Sequence, residues 1–341
     1  MSFVHLHVRS DHSPRDAACT VDDLVSAAAD DGQPAIALTD TGVMSGVPEL
    51  FGACAERGIQ AIAGCTVTVL GRATDTKTRH EGLGEVPLLA AGATGYRSLC
   101  EISTAGFLHG YAQGVSYVDL SVLSEHPDGV IALAGGYRSQ IGASAANGEL
   151  GEARHGLQRL IAALGPRNVC VELALDGSKH EQFRNGVLAD LARELGLEVV
   201  ATADIHYLAA RDRRTYAALH ALSGGISLQT AEHELATSRL EWRTAEEMRS
   251  AFAHLPQAVE ATLEIAERCR LELPRSTQLP RATPSVDEDA ELRRRVFDGL
   301  GERVAGTVAP AAEERAEHEL RVICAARLAP YFLIVADLLK H

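Results

Sequence analysis

Short apolar runs alternate with amphipathic stretches along most of this chain, and that alternation limits its fold more than any other feature of the sequence. The first cycle is an apolar run at residues 3–8, an amphipathic stretch at 21–31 and a second apolar run at 35–38. Thr20 is a typical N-cap for a helix in the amphipathic stretch, and Gly32 is a typical stop signal. Strands that alternate with helices usually pair in parallel, because each helix crosses over from one strand to the next. About seven such units predict an α/β fold with a closed parallel barrel.

The remaining predicted elements follow the same rhythm. Apolar runs predict strands at residues 59–63, 66–70, 87–91, 130–134, 169–173 and 199–202. Amphipathic stretches predict helices at residues 46–57, 95–104, 150–164, 182–195 and 244–271. Residues 71–84 are polar and lack an apolar period, so we expect an exposed loop there.

A cluster of prolines interrupts the pattern near the C-terminus. Pro274, Pro280 and Pro284 lie close together, and clustered prolines break regular structure and are typical of linkers. We therefore predict a main domain over residues 1–273, a proline-rich linker over 274–286 and a helical segment over 287–341. The helical segment holds amphipathic stretches at 287–303 and 312–326, followed by an apolar end at 331–339.

Charge and cysteine content limit the partners and the compartment. The formal net charge is −14, and an acidic surface repels phosphate backbones, so we expect DNA to bind only weakly if at all. The 7 cysteines are scattered without a Cys-x-x-Cys pair, which is typical of reduced thiols in a cytosolic protein. No apolar run approaches the roughly 20 residues of a membrane span. We predict a cytoplasmic protein with no membrane contact.

Two pairs of polar residues carry the candidate chemistry. Residues i and i+2 of a strand face the same side, so His5 and His7 would project together, and so would Asp204 and His206. At one end of a parallel barrel these side chains would meet as ligands that suit Zn²⁺, Mn²⁺ or Fe. A pair of hydrogen-bonded strand-end histidines is the structural alternative at positions 5 and 7. Asp16 in the first loop could contribute a further ligand.

The order of motifs resembles the N-terminal PHP domain of bacterial DNA polymerase III alpha subunits. The matching stretches are residues 3–8 (FVHLHV), 34–40 (PAIALTD), 61–65 (AIAGC), 94–99 (TGYRSL), 129–133 (GVIAL), 200–207 (VATADIHY), 246–248 (EEM), 264–269 (EIAERC) and 330–337 (PYFLIVAD). They occur in order over almost the whole chain. The resemblance implies an α/β fold, a PHP-type distorted seven-stranded (β/α) barrel, with a C-terminal helical extension. It also implies that residues 287–341 are the helical start of a polymerase palm region, which is truncated here.

The resemblance also implies a multinuclear metal cluster in the barrel mouth, which can support 3′–5′ exonuclease activity. Matched residue by residue, the ligands that remain are His5, His7, Asp16, Asp204 and His206. The ligand positions that have changed hold Arg9, Thr41, Thr66, Glu85 and Gly136. This chain therefore departs from the family pattern at the metal site.

The missing ligands argue against a full cluster. A multinuclear site needs anionic and imidazole ligands to offset its positive charge, and the remaining set suffices for one site of about three or four ligands. We expect at most one divalent metal ion, Zn²⁺, Mn²⁺ or Fe. Arginine matches carboxylates in a bidentate manner, so we hypothesise that the Arg9 guanidinium occupies the vacated metal position and pairs with Asp16 or Asp204.

These observations lead to one predicted function and one alternative. A polymerase palm carries paired aspartates for two-metal nucleotidyl transfer, and no such motif precedes His341. We predict a PHP domain that acts in DNA replication as a structural or partner-docking module with a degenerate metal site and no polymerase activity of its own. The resemblance implies the rest of the alpha subunit and a proofreading exonuclease subunit as partners. The alternative is a metal-dependent 3′–5′ exonuclease or phosphoesterase that uses the remaining ligands.

Overall fold

The computed structural model of the protein describes residues 2–13, 16–70, 82–112, 114–273, 280–282, 287–303 and 308–340. Contacts within the chain divide it into two units, Met1–Leu273 and Pro274–His341. Most of the predicted linker at 274–286 lies outside the described residues, and so does most of the predicted loop at 71–84.

The first unit is a mixed α/β domain built on one sheet. Its strands are β1 (Ala35–Leu38), β2 (Gln60–Leu70), β3 (Gly84–Ala90), β4 (Tyr111–Ala112), β5 (Val115–Asp119), β6 (Val130–Ala134), β7 (Val169–Ala174) and β8 (Glu198–Thr202). Hydrogen-bonded neighbours follow the order β4-β5-β2-β3-β6-β7-β8, and β1 also pairs with β2. The pairs β1–β2, β2–β5, β6–β7 and β7–β8 are parallel, as predicted.

Helices cover this sheet and connect its strands. They are α1 (Val21–Asp30), α2 (Val47–Arg57), α3 (Gly92–His109), α4 (Leu120–Glu125), α5 (Gln140–Ala146), α6 (Leu150–Leu164), α7 (Glu181–Leu195), α8 (Arg213–Gly224), α9 (Leu228–Glu234), α10 (Ala245–Ala251) and α11 (Pro256–Arg268). Helix α1 begins as predicted, because the Thr20 side chain accepts a hydrogen bond from the Asp23 backbone N–H. Its apolar face is buried at Leu24 and Val25.

One strand runs against the predicted direction. β3 is antiparallel to both of its neighbours, β2 and β6, so the prediction of parallel strands throughout is wrong at this position. A parallel pair needs a crossover of about a dozen residues or more, usually a helix, whereas antiparallel neighbours do not. The polar residues between β2 and β3 show no helical period. The lack of a crossover helix there could have indicated that β2 and β3 pair in antiparallel fashion.

Other predicted elements are present with different bounds. The runs at 59–63 and 66–70 form one continuous strand, β2. The long helix predicted at 244–271 is two helices, because Pro256 has no backbone N–H to donate and therefore begins α11. The hairpin of β4 and β5 and the helices α4, α5, α8 and α9 are absent from the sequence prediction.

The N-terminal segment connects two distant parts of the sheet. It forms isolated bridges rather than the predicted strand, with His5 opposite Ile36 of β1 and Val8 opposite Ile205 just beyond β8. The Ile205 N–H donates to His7 O at 3.2 Å, and the Arg9 N–H donates to Ile205 O at 3.0 Å. A closed barrel requires such a link between β1 and β8, so these bonds support the predicted barrel, whose closure stays a prediction.

The second unit is helical in its described residues. Its helices are α12 (Glu288–Arg303), α13 (Pro310–Ala325) and α14 (Ala329–Leu338). A small apolar core joins them through Leu292, Leu320, Ala329 and Leu333. Among the described helices of both units, none combines the length and the apolar content that a membrane crossing requires.

Candidate functional site

Several elements of the first unit bring charged side chains together at one buried point. We call this group the Arg9 cluster, and its members are His7, Arg9, Asp16, Glu85, Arg138, Glu172, Asp204 and His206. Arg9 follows the N-terminal segment, Glu85 lies in β3 and Glu172 lies in β7. Asp204 and His206 come directly after β8. The cluster thus joins parts of the sheet that are far apart in sequence.

Arg9 lies at the centre of this cluster and is completely buried, with 0% of its surface exposed. Its Nη1 donates to a carboxylate oxygen of Asp204 and lies 2.8 Å from His206 Nε2. Its Nη2 donates to Glu85 Oε2 at 2.6 Å, and its Nε lies 3.2 Å from Asp16 Oδ2. The pairing expected of Arg9 with Asp16 or Asp204 is therefore present with both carboxylates.

Electrostatics fixes the charge of this arrangement. Burial alone would lower the pKa of Arg9, but Asp204, Glu85 and Asp16 outweigh that effect and raise it. Burial alone would raise the pKa of Asp204, but Arg9 and then His7 hold it well below its usual range. The carboxyl of Asp16 is shifted in the same direction, chiefly by Arg9. Arg9 thus stays a cation among ionised carboxylates.

A second arginine, which the sequence did not single out, closes one side of the cluster. Arg138 Nη1 donates to Asp16 Oδ1 at 2.8 Å and lies 3.4 Å from Glu85 Oε1. Its Nη2 donates to the Tyr216 hydroxyl at 3.0 Å. Asp16 and Glu85 are therefore each shared between two guanidinium groups.

His7 links the cluster to β7 through Glu172, another residue that the sequence analysis missed. His7 Nδ1 and Glu172 Oε1 are 2.7 Å apart, and His7 Nε2 lies 3.2 Å from Asp204 Oδ1. Burial would lower the pKa of His7, but Asp204 and Glu172 raise it. Glu172 also accepts a hydrogen bond from Thr202 Oγ1 at 2.6 Å. A lone acidic residue inside an apolar strand was the signal that could have revealed Glu172.

His5 lies apart from this network. Its Nε2 is 2.7 Å from the carbonyl oxygen of Arg243, and its ring centroid is 4.3 Å from that of Trp242. Burial lowers the pKa of His5 to about 4. In the described residues, no recorded contact joins His5 to the Arg9 cluster. The structure therefore brings His7, Asp16, Asp204 and His206 together and leaves His5 apart from them.

The other changed positions also make defined contacts. Thr41 Oγ1 donates to Asp16 Oδ2 at 2.9 Å, and Thr66 Oγ1 donates to Thr39 O at 2.8 Å. Gly136 leaves space that the Glu172 carboxylate fills, since a Cβ at this position would lie 2.8 Å from Glu172 Oε2.

The donor set does not fit a metal ion while Arg9 is in place. Its guanidinium already contacts one carboxylate oxygen each of Asp204 and Glu85 and the Nε2 atom of His206, and its positive charge repels a second cation at the same place. Within the described part of the chain, no group of three or more His, Cys, Asp or Glu residues is arranged to hold a metal ion. Zinc sites use at least three protein ligands. The arrangement therefore stabilises a guanidinium cation instead.

The space beside the cluster is also too small for a nucleotide. A cavity lined by His7, Gly136, Glu172 and Asp204, among others, has a volume of about 10 Å³. That volume accommodates roughly one water molecule.

Comparison with known proteins identifies the family. The sequence profile of the PHP domain family matches residues 5–175, which is just over half of the 341 residues. The chain belongs to the PHP domain family.

Longer relatives match this PHP-domain chain along its whole length. It is similar to the DNA polymerase III subunit alpha of Treponema pallidum, with 32% identity over 99% of this chain and 29% of the relative. It is also similar to an error-prone DNA polymerase of Symbiobacterium thermophilum, with 33% identity over 100% of this chain and 32% of the relative. The chain therefore spans less than a third of the length of these relatives.

Similarity to solved structures is weaker. An amidohydrolase from Chromobacterium violaceum aligns with 60% of this chain and 88% of its own, at 16% sequence identity and a TM-score of 0.40. A likeness at that level carries no argument about the chemistry of this chain.

Proposed function

We propose that this PHP domain is a module of a replication protein of the DNA polymerase III alpha type and that its Arg9 cluster has no metal-dependent catalytic activity. In this proposal, the Arg9 guanidinium takes the place of the metal cluster that the family resemblance implies. The supporting observation is that Arg9 contacts Asp16, Glu85, Asp204 and His206 at once. The domain then holds the barrel together through internal ion pairs and needs no cation from solution.

The charge of Arg9 explains why the substitution removes the chemistry. Phosphoester cleavage with a metal ion relies on a Lewis acid and an activated water molecule. A guanidinium can neutralise carboxylates, but it stays protonated and cannot generate hydroxide from bound water. The residues around Arg9 therefore bind and orient one another without providing a nucleophile.

The same reasoning suggests the role of the domain in a larger protein. The relatives that cover this whole chain are DNA polymerases, so we propose that the module stabilises a polymerase of this type or docks a partner of it. A proofreading exonuclease subunit is the partner that the family resemblance implies. Direct DNA binding by this chain is disfavoured by its net charge of −14.

Metal content and nuclease activity test the proposal together. We expect the purified chain, after dialysis against Mn²⁺ or Zn²⁺ and desalting, to retain well below one metal ion per chain by mass spectrometry. We also expect no Mn²⁺-dependent degradation of end-labelled single-stranded DNA. Stoichiometric metal, with DNA degradation that disappears in His7→Ala, would instead establish the residual exonuclease.

An Arg9→His variant sharpens this test. It removes the guanidinium and offers an imidazole beside Asp16, Asp204 and His206, so we expect it to bind more Mn²⁺ or Zn²⁺ than the wild type. Arg294→His is the matched control, because it adds a histidine on the exposed surface of the second unit. Equal metal content in the two variants would show that Arg9 does not take the place of a metal ion.

A further inference from the structure

A serine, a histidine and a glutamate form a second polar constellation outside the Arg9 cluster. His12 Nδ1 lies 3.1 Å from Ser45 Oγ, and His12 Nε2 lies 3.1 Å from Glu49 Oε2. Ser45 is exposed, while the His12 and Glu49 side chains are 28% and 53% exposed. A nucleophile within reach of a base, which a third group orients, is the arrangement that activates a serine.

The carboxylate determines which nitrogen of His12 faces the serine as a base. Glu49 can only accept a hydrogen bond when ionised, so a neutral His12 carries its proton on Nε2. The unprotonated Nδ1 then accepts the hydrogen bond of the Ser45 hydroxyl. This tautomer places a lone pair where it can remove the serine proton.

The fold holds His12 against the start of α2. Buried Asp40 accepts hydrogen bonds from the Ser10 N–H and Ser13 Oγ, each at 2.7 Å, and so fixes the loop that carries His12. Gly46 favours the close approach, because a Cβ there would lie 2.8 Å from Leu38 Cδ2 and 3.0 Å from His12 Cδ2. The constellation therefore rests on anchored backbone rather than on one exposed contact.

We propose that Ser45, His12 and Glu49 form an acyl-transfer site that reacts with small activated esters. Ser45 Oγ forms a bond to the ester carbonyl carbon while its proton passes to His12 Nδ1. The bond to the leaving alcohol then breaks, and the alcohol takes that proton. Water attacks acyl-Ser45 with the same nitrogen as base, which releases the carboxylic acid and returns the proton to Ser45.

The start of α2 supplies a donor for the charge that develops in this reaction. The Gly46 N–H follows Ser45 directly, and no partner for it is recorded among the described residues. Gly46 is the N-cap residue of α2, and the N-terminus of a helix carries partial positive charge. Since Ser45 is exposed, the site would accept small esters with little selectivity.

A fluorophosphonate probe tests the nucleophile directly on the full chain. We expect covalent labelling of the wild type at Ser45, mapped by peptide mass spectrometry, and loss of that label in Ser45→Ala. We expect His12→Gln to slow labelling about 10²-fold, the usual contribution of a general base. The rates of p-nitrophenyl acetate hydrolysis should rank in the same order, with the wild type fastest, His12→Gln slower and Ser45→Ala slowest.

A second histidine–glutamate pair provides the matched control. His126 Nδ1 lies 2.8 Å from Glu101 Oε2 at similar exposure, 30% and 49%, and we expect His126→Gln to label like the wild type. Glu49→Gln should lower the maximal labelling rate without changing the probe concentration that gives half-maximal rate. The substitution alters the tautomer of His12 but not the access of the probe to Ser45. Labelling away from Ser45, no labelling, or equal rates in His12→Gln and the wild type would overturn the proposal. Circular dichroism and Tm confirm that each variant is folded.

Discussion

Arginine–carboxylate pairs occur in both units of this protein, but in opposite environments. In the first unit, Arg9 is fully buried and contacts several acceptors at once. In the second unit, Arg294 of α12 pairs with Glu291 and Asp298, yet 60% of its side chain is exposed. Water and salt screen the exposed pairs, whereas a buried charge that loses its partner has no other source of stabilisation. Burial, rather than the number of ion pairs, decides what each contributes.

The largest effect should follow from removal of the central cation. Arg9→Ala leaves the buried Asp204 and the partly buried Asp16 and Glu85 as neighbouring carboxylates without their central cation. We therefore expect the free energy of unfolding of the first unit to fall by about 3–5 kcal/mol. Urea denaturation followed by circular dichroism measures this. A loss below about 1 kcal/mol would mean that the buried cluster contributes no more than a surface pair.

A smaller effect should come from His5, a buried titratable group outside the cluster. The folded-state pKa of His5 is about 4, below the usual value of about 6.5. The unfolded chain therefore binds this proton more tightly, and stability is lost as pH falls from about 6.5 through about 4. We expect His5 to account for about 3 kcal/mol of lost stability between pH 7 and pH 4.

The wild type and His5→Asn compared at each pH isolate this contribution, because all other titrating groups are shared. The two proteins should lose stability at different rates as pH falls from 7 to 4. Parallel curves would contradict the assignment of His5 as a neutral, buried histidine.

A smaller change still is expected at Gly136, which borders the cluster. The Cβ of Gly136→Ala would lie 2.8 Å from Glu172 Oε2, so we expect a loss of about 1–3 kcal/mol from overpacking. Gly186→Ala in α7 is the control, because nothing lies within 4 Å of its Cβ. That control should keep or increase stability, since alanine favours a helix over glycine. Equal effects at both sites would show that Glu172 moves freely.

The smallest change is expected in the second unit. Arg294→Ala removes an exposed guanidinium with two carboxylate partners, and we expect no measurable shift of the urea midpoint or of its salt dependence. A shift as large as that of Arg9→Ala would contradict the expectation that buried arginine–carboxylate pairs contribute more to stability than exposed ones.

Local sequence signals predicted much of the fold and part of the site. The Thr20 cap, the helix stop at Gly32 and the strands at β1, β6 and β7 follow from patterns within a few residues. The same patterns missed the antiparallel direction of β3 and the short helices α5 and α9. Strand direction depends on which partner a strand finds, and short helices depend on packing, so neither is encoded locally.

The sequence by itself determined the family and the alternation of strands and helices. It also showed that position 9, where the family resemblance implies a metal ligand, holds an arginine. Only the tertiary structure decided which side chains meet that arginine. Asp204 is 195 positions away from it, and Arg138 reaches Asp16 across 122 positions. Contacts of that span depend on how the strands assemble, because their energy comes from charges that are buried together only after the sheet has formed.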